Sequence, residues 1–381
     1  MTPRSWDVFC RVIDNFGDAA VCWRLARALA ALPEHPAVRL GIDHREVLGA
    51  LVPELARANR HDGVDVLTLD EVGACESADV VVDGFGVGLP ERYAQAMAAR
   101  PGPQPLWIVL EYLSAEPWVA AHHGLPSPHP RLPIERYFFF PGFGPDTGGL
   151  LREPDLDARR TAFLAEPGRR AAFWRDAGFA APAGERIVTL FAYDDSPVEP
   201  LLEAWSQGGD AIIAAVPAGR IEARVASFMD AGPEPRSGRS MRRGALEVRF
   251  LPFLSQERYD ELLWTAHWNF VRGEDSFVRA QWARRPLVWQ PYLQADAAHL
   301  AKLDAFLERY LKGLEAPVAV PLDRLFRAWN GTGPTAALAD AWNQLAAHGE
   351  RLERHAAGWA VRAAEAGDLA INLARFCTER L

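Results

Sequence analysis

The sequence predicts an α/β protein of two doubly wound domains, each a largely parallel sheet with helices on both faces. Three observations lead there. A length of 381 residues is too great for one typical core and sufficient for two. Short apolar runs alternate with stretches of helical period, and the alternation occurs in two series. Between the series lies a segment with Pro-Gly, Gly-Gly and several further prolines, which breaks the rhythm.

The first series places strands at 6–13, 38–42, 64–69, 80–83, 106–110 and 137–140. The clearest helix among them is 21–32, where Val21, Leu25, Ala28, Leu29 and Leu32 share one face. The second series places strands at 187–191, 211–216, 247–252, 268–271 and 287–289, with helices at 199–205, 256–265, 277–283 and 297–310. The break between Gly142 and Gly184 divides the chain into a first domain at 1–150, a junction at 151–184 and a second domain at 185–358. Residues 335–381 read as helical, with no strand run left, and a terminal helix at about 360–381 is expected to pack back on the first domain. Two Rossmann-like halves facing across a cleft form the GT-B plan of nucleotide-sugar transferases. Unrelated epimerases share that plan, so fold does not give function.

Composition narrows the classes. Apolar residues make up 49% and charged residues 24%, an ordinary globular mixture. The formal charge of −9 argues against a broad nucleic-acid footprint but not against a local basic pocket for a small anion. Residues 1–6 lack an apolar signal core, and no stretch approaches the ~20 apolar residues of a membrane span. Cys10, Cys22, Cys75 and Cys377 are scattered without a CxxC pair, so a reduced, cytoplasmic protein is the expectation.

Two loops carry chemistry. Asp14-Asn15-Phe16-Gly17-Asp18 follows the first strand, where a dinucleotide-binding domain would have GxGxxG. One glycine flanked by carboxylates would repel a phosphate. Such acids suit proton acceptance or the holding of a guanidinium. The plainer alternative is that Asp18 caps the helix through N–H groups near Val21. Asp14 ends an apolar strand at the carboxyl edge, where α/β ligands bind.

The second loop, Arg272-Gly273-Glu274-Asp275-Ser276, stands between a strand and a helix. That geometry receives anions, and Arg272 adds a positive fork. Ser276 offers a hydroxyl and an N–H. Glu274 and Asp275 suit sugar hydroxyls, although Asp275 can equally cap the helix. Phe191, Tyr193 and Phe253 follow other strands of this series and offer stacking for a base. Asp155-Leu156-Asp157 resembles a metal-binding DxD triplet but lies in the irregular junction. His122-His123 has no third ligand in view, so no metal is expected. The 13 tryptophans are spread along the chain, as packing residues are.

The run from Trp6 through Asp18 to Cys22-Trp23-Arg24-Leu25-Ala26-Arg27 resembles the opening of the EarP family, bacterial rhamnosyltransferases that modify an arginine of elongation factor P. Arg272-Gly273-Glu274-Asp275-Ser276-Phe277-Val278-Arg279-Ala280-Gln281 resembles that family's second motif. Glu111-Tyr112-Leu113-Ser114-Ala115-Glu116, Pro141-Gly142-Phe143 and Gly148-Gly149-Leu150 also fit, in the expected order. The resemblance implies a GT-B fold and a metal-independent, inverting transfer of L-rhamnose from dTDP-β-L-rhamnose to an arginine of elongation factor P. It implies no cofactor, no nucleic-acid contact and no membrane. It puts Asp18 at the general-base position, Asp14 beside it and Glu274 among the acids needed for activity. Tyr193, Arg272, Asp275 and Ser276 fall where the family holds the diphosphate. Phe191 and Phe253 fall near the sugar or thymine, with Gln256 in the same donor-binding set. Alternatives to this reading are another GT-B transferase or epimerase with a small acceptor, and a non-catalytic partner-binding protein.

Overall fold

Strands made almost wholly of Val, Leu, Ile, Phe and Ala are stable where both faces of a sheet are covered. The computed structural model describes all residues except 1, 15, 231, 233–235 and 295. The chain divides into two units, Met1–Glu153 with Arg362–Leu381, and Pro154–Val361.

The first unit holds β1 (Ser5–Cys10), β2 (Ala37–Ile42), β3 (Arg60–His61), β4 (Val64–Thr68), β5 (Val80–Gly84), β6 (Leu106–Leu110), β7 (Pro126–Pro128) and β8 (Glu135–Phe139). They form one sheet in the order β3-β4-β2-β1-β5-β6-β8-β7. Neighbours pair in parallel except at the two margins, where β3 and β7 run antiparallel to β4 and β8. Its helices are α1 (Gly17–Ala30), α2 (Arg45–Leu51), α3 (Leu69–Gly73), α4 (Glu91–Ala98) and α5 (Trp118–His122).

The second unit holds β9 (Arg186–Leu190), β10 (Ile212–Pro217), β11 (Ser240–Arg243), β12 (Leu246–Leu251), β13 (Trp268–Arg272) and β14 (Leu287–Gln290), in the order β11-β12-β10-β9-β13-β14. Among the described residues of this sheet, only the β11–β12 pair is antiparallel. Its helices are α6 (Leu156–Ala165), α7 (Pro167–Asp176), α8 (Glu199–Gln207), α9 (Glu222–Phe228), α10 (Gln256–Thr265), α11 (Asp275–Ala283), α12 (Ala298–Tyr310), α13 (Ala316–Trp329), α14 (Ala337–Ala346) and α15 (Gly349–Ala364). At the end of α15 the chain returns to the first unit, which α16 (Leu369–Thr378) completes.

Helix α1 begins four residues before the apolar period shows it. The period reads only the face that Leu25 and Leu29 bury, whereas Asp18, Ala19 and Ala20 of the first turn are buried as well. The region 151–184 is not a bare connector: α6 and α7 occupy it and belong to the second unit. Within it, Asp155 pairs with Arg159 at 3.1 Å and Asp157 with Arg284 at 2.8 Å.

Three devices tie the first unit together. Glu153 accepts Arg24 Nη1 at 3.1 Å and Arg27 Nη2 at 3.0 Å, which fastens α1 to the segment where the chain leaves the unit. The Gly148-Gly149-Leu150 stretch packs against the returning chain. Leu150 N donates to Gly367 O at 3.2 Å, and Leu369 N donates to Leu150 O at 3.1 Å. Gly149 has φ +76°, and a Cβ there would lie 2.3 Å from Gly367 O, so no other residue fits. Beyond it, Leu369, Ala370, Leu373 and Cys377 of α16 enter the same core as β1 and α1.

The third device is Asp7 on β1, wholly buried. Its carboxylate accepts Arg39 Nε and Nη2 from β2 at 2.6 and 2.7 Å, Ala78 N at 3.2 Å and the Tyr93 hydroxyl. The tryptophans pack rather than form a platform: in the second unit Trp205 and Trp342 lie 5.2 Å apart, and Trp329 is 4.9 Å from Phe270. Among the described residues, no helix is long and apolar enough to cross a membrane.

Removing one partner of a buried ion pair costs about 3–5 kcal/mol. Arg39 keeps 25% of its side chain exposed, which sets Asp7→Ala towards the lower end, about 3 kcal/mol, and urea denaturation measures it.

Candidate active site

In each sheet the first strand lies near the middle. The chain builds outward on one side of it and then crosses to the other side, so the loops leaving the two adjacent strands diverge. Ligands of open α/β sheets bind at such reversals, outside the carboxyl ends of the strands. In the first unit the reversal falls between β1 and β5, and in the second between β9 and β13.

The acidic loop is the one that leaves β1. Asp18 does not cap α1 forward near Val21. Its Oδ2 reaches backward and accepts Ile13 N and Asp14 N, each at 2.8 Å. Phe16 holds the N-cap position and provides no side-chain cap. Val12 N donates to Asp43 Oδ1 at 3.1 Å, so carboxylates take three successive N–H groups of this loop. A phosphate-binding loop keeps such groups for its ligand. Asp18 is 3% exposed, and burial raises its pKa despite the two backbone hydrogen bonds; the charges of Asp14 and Asp43 push the same way. Asp14 is half-buried beside it, and Asn15 lies outside the described residues.

The other side of the reversal contains a residue that sequence reasoning passed over. Asp83 on β5 is 2% exposed, accepts Gly88 N at 3.0 Å and is pushed up to about 6, chiefly by burial. A lone acid closing an apolar run was the signal. Gly84, next in line, would place a Cβ 2.7 Å from Phe9 O and 2.9 Å from Cys22 Sγ, so only glycine lets β5 close on β1 here. Beyond it, Phe85 stacks on Tyr112 at 4.4 Å, which gives the Glu111-Tyr112 motif its place at the end of β6.

In the second unit Arg272 ends β13, 7% exposed, with its guanidinium carbon 4.6 Å from the Phe191 ring and 4.4 Å from the Tyr193 ring. Two aromatic faces hold the cation at the carboxyl edge. Phe191 rests edge-on against Tyr259 at 5.4 Å. Gln290 at the end of β14, another residue not singled out, accepts Tyr193 N at 3.1 Å and lies 2.6 Å from the Ser196 hydroxyl. Tyr292 beyond it lies 5.9 Å from Tyr193 and is 46% exposed.

The Ser276 hydroxyl turns inward and donates to Arg272 O, which closes the Arg272–Ser276 turn. Glu274 takes the N-cap position of α11 and Asp275 its first helical position. The first bond of the α11 ladder runs from Val278 N to Glu274 O at 2.9 Å, so the N–H groups of 275–277 stand outside that ladder. Phe253 is 40% exposed after β12, and Gln256 begins α10 behind the Ser255 cap, 5% exposed. The structure thus gathers Phe191, Tyr193, Arg272, Glu274, Asp275 and Ser276 about one reversal. Phe253 follows β12, two strands from β9 on the same edge, while Gln256 opens α10, whose Tyr259 packs on Phe191.

A family model described as "Elongation-Factor P (EF-P) rhamnosyltransferase EarP" matches residues 6–378. The chain belongs to the EarP family. A protein-arginine rhamnosyltransferase of Pseudomonas putida is 43% identical over 377 residues, covering 98% of each chain. One from Pseudomonas aeruginosa is also 43% identical, covering 99% of this chain and 100% of its own. A solved structure that concerns EarP-mediated arginine glycosylation of translation elongation factor EF-P is 33% identical, covers 99% of both chains and superposes with a TM-score of 0.72. A glycosyltransferase from Rickettsia africae, at 10% identity and a TM-score of 0.54, shares the fold alone. The fold of this EarP chain is accordingly GT-B, and its class is enzyme, a glycosyltransferase of the protein-arginine rhamnosyltransferase kind.

Asp83 makes the stability of the first unit depend on pH. Its ordinary value is 3.8, so between about 4 and about 6 the folded state binds more protons than the unfolded one, and stability falls as pH rises through that window. A difference of about two in pKa corresponds to about 3 kcal/mol. Asp83→Asn stays neutral and can still accept Gly88 N. It is expected to exceed the parent by up to about 3 kcal/mol at pH 7 and to match it at pH 4, read by urea denaturation at both values.

Proposed function

We propose that this enzyme transfers L-rhamnose from dTDP-β-L-rhamnose to an arginine side chain of elongation factor P, with inversion and without a metal. The observation that carries the reading is the opposite chemistry of the two reversals. Carboxylates crowd the one in the first unit. The one in the second unit combines an arginine held between aromatic rings with the N-terminus of α11. A cationic acceptor suits the first, and a nucleoside diphosphate the second. The protein-arginine rhamnosyltransferase names of the relatives, and the elongation factor named for the 33% identical structure, support the same assignment. With a translation factor as the proposed acceptor, we assign the reaction to the cytoplasm.

A guanidinium, with a pKa above ~12, is a poor nucleophile until a proton is drawn from it. Asp14 and Asp18 hold it and concentrate its charge on the nitrogens that do not attack. As the third nitrogen bonds to the anomeric carbon, the bond from that carbon to the diphosphate oxygen breaks. The proton passes to a carboxylate, and dTDP leaves. Burial raises the pKa of Asp18 above that of an ordinary carboxylate, which suits it to that proton. Arg272 and the α11 N-terminus receive the charge growing on the diphosphate. Tyr193, Asp275 and Ser276 shape the phosphate side of the site. Phe191, Phe253 and Gln256 shape the sugar and base side, and Glu274 is placed to accept a sugar hydroxyl.

Incubating the enzyme with dTDP-rhamnose and elongation factor P should add one deoxyhexose to the factor, read by intact mass. No gain would sink the reading. Asp18→Asn is expected to abolish the gain while dTDP binding, measured by calorimetry, stays near the parent's. Loss of both would overturn the division of labour between the units.

A further inference from the structure

Among the helices of the second unit that begin at its carboxyl edge are α10 at Gln256 and α11 at Asp275. One turn in from each start, they are joined by a buried ion pair. Arg279 Nε donates to Asp260 Oδ1 at 2.8 Å and Arg279 Nη2 to Asp260 Oδ2 at 2.7 Å. Both side chains are 1% exposed.

Such a pair is a poor choice for stability alone. Two charges leave water, and apolar side chains of similar volume hold helices together as well or better. What the fork adds is geometry: two parallel hydrogen bonds define one separation and one orientation. The neighbours of the pair show what that geometry serves. Tyr259, adjacent to Asp260, lies against Phe191, whose ring carries the Arg272 guanidinium. Ser276, three residues before Arg279, closes the turn onto Arg272 O. Each partner is thus one residue or one turn from a group that holds Arg272.

We propose that Asp260 and Arg279 are positioning residues for the donor: they set the spacing of the two helix N-termini and the seat of Arg272, and so govern affinity for a nucleoside diphosphate. The inference rests on the reading of this edge as the donor site. Neither residue touches the donor.

The test compares the parent, Arg279→Lys and the double variant Asp260→Leu with Arg279→Met. It uses dTDP binding by calorimetry, thermal melting, and KM and kcat for dTDP-rhamnose. The double variant should melt at or above the parent, yet bind dTDP at least about tenfold more weakly, with KM rising and kcat falling as well, because Arg272 also meets the charge that grows on the diphosphate. Arg279→Lys keeps the charge and loses the fork, and should show an intermediate loss of affinity with little change in melting. Unchanged dTDP affinity in either folded variant overturns the proposal. So does failure of both variants to fold, which would make the pair a structural necessity. A parent that binds no dTDP would instead remove the reading of the edge on which the pair depends.

Discussion

Reversal of strand order within a parallel sheet is the constraint on which the rest of the molecule depends. Strands buried on both faces admit few polar side chains along their length, each needing partners as Asp7 does, so charge collects where strands end. Where two adjacent strands send their chains in opposite directions, the loops part and leave backbone and side chains uncovered. Both units put their first strand beside that point. Asp14 and Asp18 lie in the loop and first helical turn after β1, and Arg272 ends β13.

The same backbone plan then carries different electrostatics. Asp18 occupies the N–H groups of the β1 loop with its own carboxylate, which removes the usual attraction of a strand-to-helix turn for phosphate and leaves net negative charge. At β13 the acids stand at the N-cap and first position of α11. A cation lies two residues before the N-cap, stacked on Phe191 and Tyr193. Pinning matters because a flexible arginine would lose rotamer freedom on meeting an anion, whereas one already stacked has little left to lose.

How much of this was legible in the sequence follows from the range of the interactions involved. The central strands could be placed to within a few residues because burial on both faces writes an unbroken apolar run, as at Val80–Gly84 and Ile212–Pro217. Asp14, Asp18 and Arg272 stood out because each ends such a run or opens the helix after it. What was hidden depends on partners far along the chain. Asp18 turns back to Ile13 and Asp14 instead of capping forward, which spacing alone cannot decide. Gln290 matters through Tyr193 and Ser196, almost a hundred residues earlier. Asp83 is perturbed by the depth of its burial, a property of the sheet and not of its neighbours in sequence. The α6 and α7 helices lay in a Pro- and Gly-rich stretch whose punctuation marks their ends rather than their absence.

Two of the buried ion pairs differ in what they add to the backbone. Asp7 answers Arg39 across adjacent strands, where registry Asp7↔Arg39 is already set by the β1–β2 ladder, so that pair adds to an alignment the backbone has made. Asp260 and Arg279 lie on two helices with no ladder between them. Helices packed only through apolar side chains can slide or rotate at small cost, since such contacts have no direction. The proposed donor site, which would have to fit a diphosphate within a fraction of an ångström, cannot rest on a contact of that sort. A directional pair one turn below the helix starts supplies what the sheet supplies elsewhere, and its position follows from that need.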